Sequence, residues 1–436
     1  MSSGLAALRR LESLSVRNMR LGLDAIDSVC ARLGRPERAV RSILIAGTNG
    51  KGSTAATLSA IARAAGSRAG LYTSPHLVDV TERVRVDDAD LSREELDAAL
   101  APVFVAADAA PGIPLTYFEA MTAAAFVAFA SRRLDLAILE VGLGGRFDAT
   151  NVAPAAVSVV TSIGLDHTAE LGATRPLIAR EKAGIFRSGR PALARAVEAD
   201  ARDALRQAAR EAGAVWHDAL EELDVAVERV SLEGTRFRLA TPGRRISLAT
   251  PLPGAHQAWN AALAVRAAEL LDDGDAAPPL SRGSAIEDGL ARVRWPGRLE
   301  RRRSEDRDLL LDGCHNVEGA EALARFLSDA GLEGRCPVIF GAMTDKDVAG
   351  IAAALFPLAA AVFLAPAPSE RAAGAEELAR RVAAVRPDAV RTENLADALA
   401  RARRLPGRDP IIVAGSLYLV GEARAMLLAA EGRASA

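Results

Sequence analysis

Short apolar runs alternate with longer stretches of helical spacing along the first part of the chain. The first clear strand pattern is the run 43–46, which passes directly into a glycine-rich loop. Further apolar runs predict strands at 70–73, 134–141 and 156–163, and the intervening composition predicts helices at 55–65 and 117–130. This β-α-β alternation is typical of a mainly parallel sheet covered by helices. The chain is therefore predicted to be an α/β protein.

The pattern changes twice in the second half of the chain. Residues 219–250 switch to period-two alternation with turn glycines, which predicts an antiparallel insertion, and 256–272 returns to helix. Turn chemistry at 295–298, followed by three arginines at 301–303, indicates a domain boundary. Beyond it, predicted strands alternate with helices again, at 308–311, 337–340, 361–364 and 411–414. Because 436 residues exceed what one core normally organises, we predict two domains, 1–296 and 297–436.

The loop after the first strand has the residues that a nucleotide triphosphate site requires. It consists of Gly47, Thr48, Asn49, Gly50, Lys51, Gly52, Ser53 and Thr54. Glycines let the backbone approach phosphate oxygens, and the N-terminus of the following helix adds attraction. Lys51 can reach the outer phosphates, and Ser53 or Thr54 can offer a hydroxyl to magnesium. The loop therefore predicts Mg-ATP as cofactor.

This loop departs from the common G-x-x-x-x-G-K-[ST] pattern in two places. Ile45 stands at the position of the first glycine, and Gly52 separates the lysine from the hydroxyl residues. A glycine-rich β-to-α turn without a ligand is the plain interpretation of such loops. The lysine and the adjacent hydroxyls after an apolar run favour phosphate binding instead.

Three polar residues lie at or just beyond the ends of separate predicted strands: Ser74, Glu140 and His167. Ligands of open α/β sheets gather at the carboxyl ends of the strands, so these side chains are expected at one edge. Each alone has a plain interpretation as a capping or hydrogen-bonded turn residue. Beside a phosphate loop, a carboxylate at Glu140 can ligate magnesium, and the three together can form the shell of a second magnesium ion.

Composition narrows the class of partner and the compartment. The formal net charge is -2 with acidic and basic residues interspersed, which predicts neither nucleic acid nor a membrane surface as partner. Cys30, Cys314 and Cys336 form no C-x-x-C pair, so a disulfide framework or structural zinc site is not expected. No signal-type h-region and no run of about eighteen apolar residues is found. These features predict a cytoplasmic protein.

Two further polar segments have plain interpretations on their own. Lys182 lies in a predicted helix, where a solvated lysine is the ordinary case. Asp312 and Asn316 follow an apolar strand, where a local turn and a helix cap account for them. Metal binding by Cys314 with His315 is disfavoured because adjacent residues rarely complete a soft-ligand site.

The ordered motifs resemble one family over almost the whole chain. The segments that carry the resemblance are 46–54, 74–77 with 82–84, 115–119, 140–151, 162–167, 180–186, 295–298, 312–316, 345–347 and 414–416. Together they resemble the folylpolyglutamate synthase family, in its bacterial branch of bifunctional dihydrofolate and folylpolyglutamate synthases within the Mur ligase superfamily. The resemblance implies a P-loop central domain of the Mur ligase type, a smaller Rossmann-like α/β C-terminal domain, and a monomer.

The resemblance also implies an activity. It predicts an ATP-dependent ligase that joins L-glutamate to dihydropteroate and to reduced folates. A carboxylate is a poor electrophile, so it would attack the γ-phosphate to form an acyl phosphate, which the glutamate amine then attacks. Positioning and charge neutralisation dominate phosphoryl transfer, which agrees with a phosphate loop and two magnesium sites.

Site residues follow from the resemblance position by position. Lys51, Glu140, His167 and Lys182 match catalytic positions, and Lys182 matches the lysine that the family carbamylates. Ser53 or Thr54 would serve the phosphate-side magnesium, and the second ion would be held by Ser74, Glu140, His167 and carbamylated Lys182. Nucleotide contacts are implied for Asn260, Arg298 and Asp312, so that the second domain would close over ATP. Glutamate contacts are expected of His315 and Ser416, and an anionic substrate contact of Arg83.

A pterin pocket is implied as well, and the substrate it accepts stays open. Its expected residues are Asn18, Leu21, Thr116, Tyr117, Phe118, Glu119, Phe147, Asp148 and Ala149. Arg20 stands where the bifunctional pattern usually has an acidic residue, so a ligase acting on folates alone is one alternative. A Mur-type ligase for a cell-wall nucleotide precursor and a non-catalytic nucleotide-binding switch are the others.

Overall fold

The structure is a computed structural model and describes residues 4–14, 22–273, 279–303 and 307–434. The chain divides into two compact units. The first comprises Met1–Val225, Leu239–Leu248 and Trp259–Val293, and the second comprises Ala226–Arg238, Ala249–Ala258 and Arg294–Ala436. The division into functional domains 1–296 and 297–436 stays a prediction.

An eight-stranded sheet forms the centre of the first unit. Its strands are β1 (Arg41–Ala46), β2 (Ala69–Tyr72), β3 (Val84–Val86), β4 (Ala89–Asp90), β5 (Leu136–Glu140), β6 (Ala155–Val160), β7 (Pro191–Ala194) and β8 (Val215–Asp218). They lie in the order β4-β3-β2-β5-β1-β6-β7-β8. Along this order, the pairs β2-β5, β5-β1, β1-β6, β6-β7 and β7-β8 are parallel. The pairs β4-β3 and β3-β2, at one edge of the sheet, are antiparallel. Ile43, Leu44 and Ile45 of β1 are fully buried, as expected of a central strand covered on both faces.

Helices alternate with these strands along the chain, and apolar side chains from several of them form one buried cluster with the sheet. They are α1 (Ala6–Ser13), α2 (Asp24–Arg32), α3 (Lys51–Ala64), α4 (Arg93–Asp108), α5 (Tyr117–Ser131), α6 (Thr168–Leu171), α7 (Arg175–Lys182), α8 (Ala199–Ala212), α9 (Ala219–Glu222), α10 (Ala255–Asp272) and α11 (Ala285–Arg292). α4 and α5 each begin with a capping box, formed by Ser92 with Glu95 and by Thr116 with Glu119. The expected helices at 55–65, 117–130 and 256–272 are confirmed within a few residues.

A separate three-stranded sheet corresponds to the period-two segment. It consists of β9 (Asp224–Ser231), β10 (Gly234–Thr241) and β11 (Arg244–Thr250), in the order β11-β10-β9. The predicted strands are therefore confirmed over 224–250, whereas the first residues of the predicted segment form the helical turn Ala219–Glu222.

The second unit has a six-stranded, mainly parallel sheet. Its strands are β12 (Glu300–Arg302), β13 (Leu309–Asp312), β14 (Pro337–Phe340), β15 (Ala361–Leu364), β16 (Val390–Arg391) and β17 (Ile411–Ala414), and its helices are α12 (Val317–Asp329), α13 (Val348–Leu355), α14 (Ala375–Val382), α15 (Leu395–Arg403) and α16 (Leu417–Ala434). The strand order is β12-β13-β17-β14-β15-β16, with only β12 antiparallel to its neighbour. Both sheets are therefore mostly parallel, as predicted.

No helix in the described ranges combines the length and the apolarity that crossing a membrane requires.

Candidate active site

The phosphate loop joins the end of β1 to the start of α3 and is fastened to the neighbouring strand β6. The backbone N–H of Thr48 donates to the carbonyl of Ser162 at 2.9 Å, and that of Asn49 donates to the Ser162 hydroxyl at 2.8 Å. The Thr161 hydroxyl donates to the carbonyl of Asn49 at 2.7 Å. The strand predicted to reach residue 163 ends at Val160 because these two side chains turn to bind the loop. The loop therefore has a fixed shape.

Gly50 and Asn260 are in close contact at the N-terminus of α3. Gly50 caps this helix with φ +86°, a conformation that side chains disfavour. A Cβ placed on Gly50 would lie 2.4 Å from the Asn260 Oδ1, and Asn260 is buried. α10 thus brings Asn260, a sequence-predicted nucleotide contact, against the phosphate loop.

We expect Gly50→Ala to weaken ADP binding by more than about tenfold, because the new methyl group displaces Asn260. The left-handed backbone conformation at this position adds a strain of about 1–2 kcal/mol for alanine. Gly66→Ala is a matched control, since Gly66 has φ +84° with no atom within 4 Å of its Cβ position. That control is expected to lose stability with normal ADP affinity. Calorimetric titration and thermal unfolding of both variants would measure this, and equal ADP affinities would contradict it.

Lys51 and Lys182 converge on one carbonyl oxygen of the phosphate loop. Lys51 Nζ lies 3.1 Å and Lys182 Nζ 2.9 Å from the oxygen of Gly47. Lys182 is 4% exposed, so its interpretation as a solvated helix lysine is wrong. Burial and then the charge of Lys51 lower the pKa of Lys182 to about 7. The Lys182 amine is therefore substantially neutral near pH 7, the form that can react with carbon dioxide.

This pKa has a measurable effect on stability. Because the folded pKa of about 7 lies below the ordinary 10.5, the folded state binds this proton more weakly than the unfolded state does. Below about pH 7, protonation of Lys182 therefore lowers the free energy of unfolding by its full amount. This loss of stability disappears as the pH rises towards 10.5. Relative to Lys182→Met, the wild type should gain about 2 kcal/mol of unfolding free energy between about pH 7.5 and 9 in carbon dioxide-free buffer. Urea unfolding of both proteins tests this, and identical pH dependences would contradict it.

Glu140 and Ser74 meet at the carboxyl ends of β5 and β2. The backbone N–H of Ser74 donates to Glu140 Oε2 at 3.1 Å, and Glu140 is 5% exposed. His167 lies seven residues beyond the end of β6, where it caps α6 with φ 51°. Its ring nitrogens are 4.0 Å from Asp166 and from Glu170. The structure thus joins Ser74 to Glu140 directly and places His167 among acidic neighbours.

The donor chemistry of this region fits a hard cation. Among the described residues, no three His, Cys, Asp or Glu side chains form a metal-holding cluster. Oxygen donors are present, however: the Thr54 hydroxyl oxygen is buried without a hydrogen-bond partner in the part of the chain described, and Ser53 adjoins it. With the Glu140 carboxylate, these are the ligand types that magnesium accepts alongside phosphate oxygens and water.

Arg83 is held by His76 and Tyr117. Its Nε donates to His76 Nδ1 at 2.9 Å, and its guanidinium carbon lies 5.3 Å from the centre of the Tyr117 ring. Burial and then the charge of Arg83 lower the pKa of His76 to about 4, so its imidazole is neutral. Sequence reasoning assigned no role to His76. The sequence feature that could have indicated a role for His76 is its position two residues after Ser74, at the end of a strand.

The residues expected to hold a pterin lie around the start of α5 and the loop after β5. Thr116 and Glu119 bond each other in the capping box, while Glu119 Oε1 is buried without a partner among the described residues. The Phe118 ring lies 6.0 Å from that of Tyr72. Asp148 accepts hydrogen bonds from the backbone of Gly142, Leu143 and Thr150 and from the Thr150 hydroxyl, so it shapes the glycine loop. Asn18, Arg20 and Leu21 lie outside the described residues.

Two further residues of the expected pterin pocket, Phe147 and Ala149, differ in the exposed fraction of their side chains. Phe147 is 45% exposed and Ala149 is 5% exposed. Phe147 therefore offers an apolar surface to solvent, whereas Ala149 packs within the loop.

Four predicted site residues of the second unit lie at strand ends. The Asp312 carboxylate accepts from the backbone of Leu299 at 2.9 Å and of Cys314 at 3.0 Å. Arg298 Nη1 is 2.3 Å from the position of a Cβ on Gly313, which explains the glycine there. His315 Nδ1 lies 2.9 Å from the Gly313 carbonyl, and Ser416 Oγ accepts from the backbone of Tyr418 at the start of α16.

His256 is another residue to which sequence reasoning gave no role. Burial lowers its pKa, while the charge of Asp312 opposes this shift and that of Arg298 adds to it. It therefore belongs to the same cluster of the second unit. Its position at the start of a predicted helix gave no indication of a functional role.

Two family matches cover most of the chain. The Mur ligase middle domain matches residues 45–268, and the Mur ligase glutamate ligase domain matches residues 297–417. The chain is 35% identical to the dihydrofolate synthase/folylpolyglutamate synthase of Bacillus subtilis, over 93% of this chain and 95% of that protein. It is 38% identical to a probable bifunctional folylpolyglutamate synthase/dihydropteroate synthase of Haloferax volcanii over 92% of its own length, and it spans 48% of that longer relative.

Solved structures of such proteins have the same fold. Escherichia coli FolC in complex with DHPP and ADP matches with a TM-score of 0.87 and 35% identity, over 99% of each chain. A bifunctional folylpolyglutamate synthase/dihydrofolate synthase with Mn, AMPPNP and L-glutamate bound matches with a TM-score of 0.84 and 33% identity, over 98% of each chain.

Proposed function

The chain belongs to the Mur ligase family, in its dihydrofolate synthase/folylpolyglutamate synthase branch, and from this premise we propose that it is an ATP-dependent glutamate ligase. It adds L-glutamate to dihydropteroate, forming dihydrofolate, and to reduced folates, forming folylpolyglutamates. The observation that carries the proposal is the convergence of Lys51 and Lys182 on the Gly47 carbonyl of the phosphate loop. Lys51 supplies positive charge for the phosphates of ATP and of an acyl phosphate, and Lys182 lies at the same loop oxygen.

The proposed reaction has two steps. An oxygen of the substrate carboxylate attacks the γ-phosphorus of ATP, a new O–P bond forms, and the bond to the β-phosphate oxygen breaks, which releases ADP. The glutamate amine then attacks the acyl carbon, loses a proton, and displaces inorganic phosphate. The phosphate leaves with the oxygen that came from the substrate carboxylate.

The first-unit residues act by positioning and by charge. The glycine loop and the N-terminus of α3 hold the phosphates, Lys51 contacts the outer phosphates, and Asn260 supports the loop at Gly50. Ser53 or Thr54 would hold a divalent metal ion on the phosphate side, and Ser74, Glu140 and His167 a second. Such ions, when bound, neutralise phosphate charge during transfer.

Lys182 is proposed to carry a carbamate. Its amine is buried 2.9 Å from the Gly47 carbonyl and is repelled by Lys51, so its cationic form is unfavourable there. Addition of carbon dioxide to the neutral amine releases a proton and converts this position from a cation into a carboxylate. That change replaces repulsion of Lys51 and of metal ions by attraction.

Substrate groups are assigned by their chemistry. Aromatic and capping residues around the start of α5 suit a pterin, and the partly exposed ring of Phe118, backed by the buried ring of Tyr72, supplies an aromatic wall. The predicted second domain, 297–436, is assigned to glutamate through His315 and Ser416 and to nucleotide through Arg298 and Asp312. The match of the glutamate ligase domain to residues 297–417 supports that assignment.

Glutamate-dependent ADP release by the purified protein tests the proposal, with dihydropteroate and a reduced folate offered in parallel. Release with both establishes both activities. Release with the folate alone restricts the enzyme to folates and directs attention to Arg20. Release with neither contradicts the proposal and returns the cell-wall precursor and the nucleotide switch as candidates.

A further inference from the structure

Arg83 is a buried cation whose described partners are all uncharged. It is 7% exposed, its Nε donates to His76 Nδ1 at 2.9 Å, and its guanidinium lies over the Tyr117 ring. Among the described residues, no carboxylate forms an ion pair with it. Because burying an unpaired charge is costly, such a group is retained where an anionic ligand completes it.

The turn between β2 and β3 is constructed so that His76 reaches Arg83. The Glu82 carboxylate accepts the backbone N–H groups of Leu77, Val78 and Asp79, which fixes the chain immediately after His76. At the base of the turn, the N–H of Thr73 donates to the carbonyl of Arg83 at 3.0 Å. Both ends of the His76–Arg83 contact are therefore set by backbone hydrogen bonds.

The charge that Arg83 presents to a ligand depends on whether its hydrogen-bond partner is negatively charged or neutral. A carboxylate at the position of His76 would neutralise the guanidinium, whereas a neutral imidazole directs it without cancelling its charge. Since Nδ1 accepts from Arg83, the ring proton is on Nε2. The Arg83 head therefore keeps its full attraction for an anion in a poorly solvated position.

The same turn leads to Glu140. Ser74 lies two residues before His76 and donates its backbone N–H to Glu140 Oε2 at 3.1 Å. Tyr117, under the guanidinium, lies between Thr116 and Phe118 in the segment assigned to the pterin-bearing substrate. The segment 74–83 therefore contacts both Glu140, through Ser74, and the segment assigned to the pterin-bearing substrate, through Arg83.

We infer that His76 is a positioning residue, which directs the Arg83 guanidinium at the reacting carboxylate of the pteroate or folate substrate. This inference rests on the proposed function for the identity of the anion. His76 does not touch the substrate and acts only through Arg83.

Steady-state kinetics of four variants test this role: His76→Ala, His76→Asn, Arg83→Met and the His76→Ala/Arg83→Met double variant. His76→Ala should lower kcat/KM for the folate by about ten- to a hundredfold with little change in the KM for ATP. His76→Asn should restore most of this loss, because the Asn Oδ1 can accept from Arg83 where Nδ1 did. In the Arg83→Met background, His76→Ala should have no further effect, since the residue has nothing left to direct.

Independent effects of the two substitutions, or a loss confined to the KM for ATP, would overturn the inference. His217→Asn is a matched control, because His217 contacts Glu222 elsewhere in the unit, and it should leave all constants unchanged. If His76→Ala does not fold, the positioning role of His76 is tested by comparing His76→Asn with Arg83→Met, since only Arg83→Met should lose folate-dependent turnover.

Nitrogen-15 NMR of histidine separates failure of this inference from failure of the proposed function. In the wild type, His76 should show an acceptor Nδ1 and a protonated Nε2, and Arg83→Met should shift the Nδ1 resonance. An unshifted resonance overturns the contact whether or not the protein ligates glutamate. A shifted resonance in a protein inactive with every acceptor upholds the contact, overturns the directing role, and refutes the proposed function.

Discussion

Glu140→Gln is expected to lower kcat for glutamate-dependent ADP release by about a hundred- to a thousandfold while the protein stays folded. Glu140 is a buried carboxylate at a strand end, and its Oε2 accepts a hydrogen bond from the backbone N–H of Ser74. Glutamine keeps an acceptor for that N–H but removes the negative charge. The charge, rather than the packing, is what the proposed metal site requires.

Glu37→Gln is the matched control for this variant. Glu37 is also buried, at 2% exposure, but lies in the short helical turn Pro36–Arg38 before β1. Its neutralisation should alter stability and leave turnover close to that of the wild type. Near wild-type turnover in Glu140→Gln would remove this residue from the mechanism.

Lys182→Ala is expected to lose turnover by a similar factor and to regain part of it when a small carboxylate such as acetate or formate is added. The substitution opens a buried space beside the Gly47 carbonyl, where a free carboxylate can replace the carbamate. Rescue should saturate with the added anion. Lys51→Ala should not be rescued, because a carboxylate cannot replace a cation that contacts phosphate.

Carbon-13 bicarbonate gives a direct test of the modification. The wild type should show a carbamate carbon resonance that is lost in Lys182→Ala. Absence of that resonance together with full activity of the alanine variant would refute this role for Lys182.

The phosphate loop could be predicted from sequence because all its determinants are local. A buried strand, three glycines and a lysine fall within one short segment, and the backbone conformation follows from them. The strands at 337–340, 361–364 and 411–414 were predicted to the residue for the same reason. Continuous apolar runs of this length are typical of buried parallel strands.

The arrangement around Lys182 could not be predicted in this way. Its contact with the Gly47 carbonyl joins residues 135 positions apart, and helical spacing does not reveal that the last residue of α7 faces the loop. His76 was missed because its partner Arg83 lies at the end of the short helical turn Val80–Arg83, and the sequence does not show that this turn folds back onto His76. The end of β6 was placed too late because apolar Ile163 follows the strand, whereas the hydroxyls of Thr161 and Ser162 between them bind the loop.

Transfer of an oxygen atom from the substrate carboxylate to inorganic phosphate distinguishes an acyl phosphate intermediate from other routes. Dihydropteroate or a reduced folate labelled with oxygen-18 in that carboxylate is incubated with the protein, Mg-ATP and L-glutamate, and the products are analysed by mass spectrometry. We expect a pterin product one glutamate longer, ADP, and one labelled oxygen in the inorganic phosphate. Unlabelled phosphate, AMP in place of ADP, or nucleotide turnover without a lengthened pterin product would contradict it.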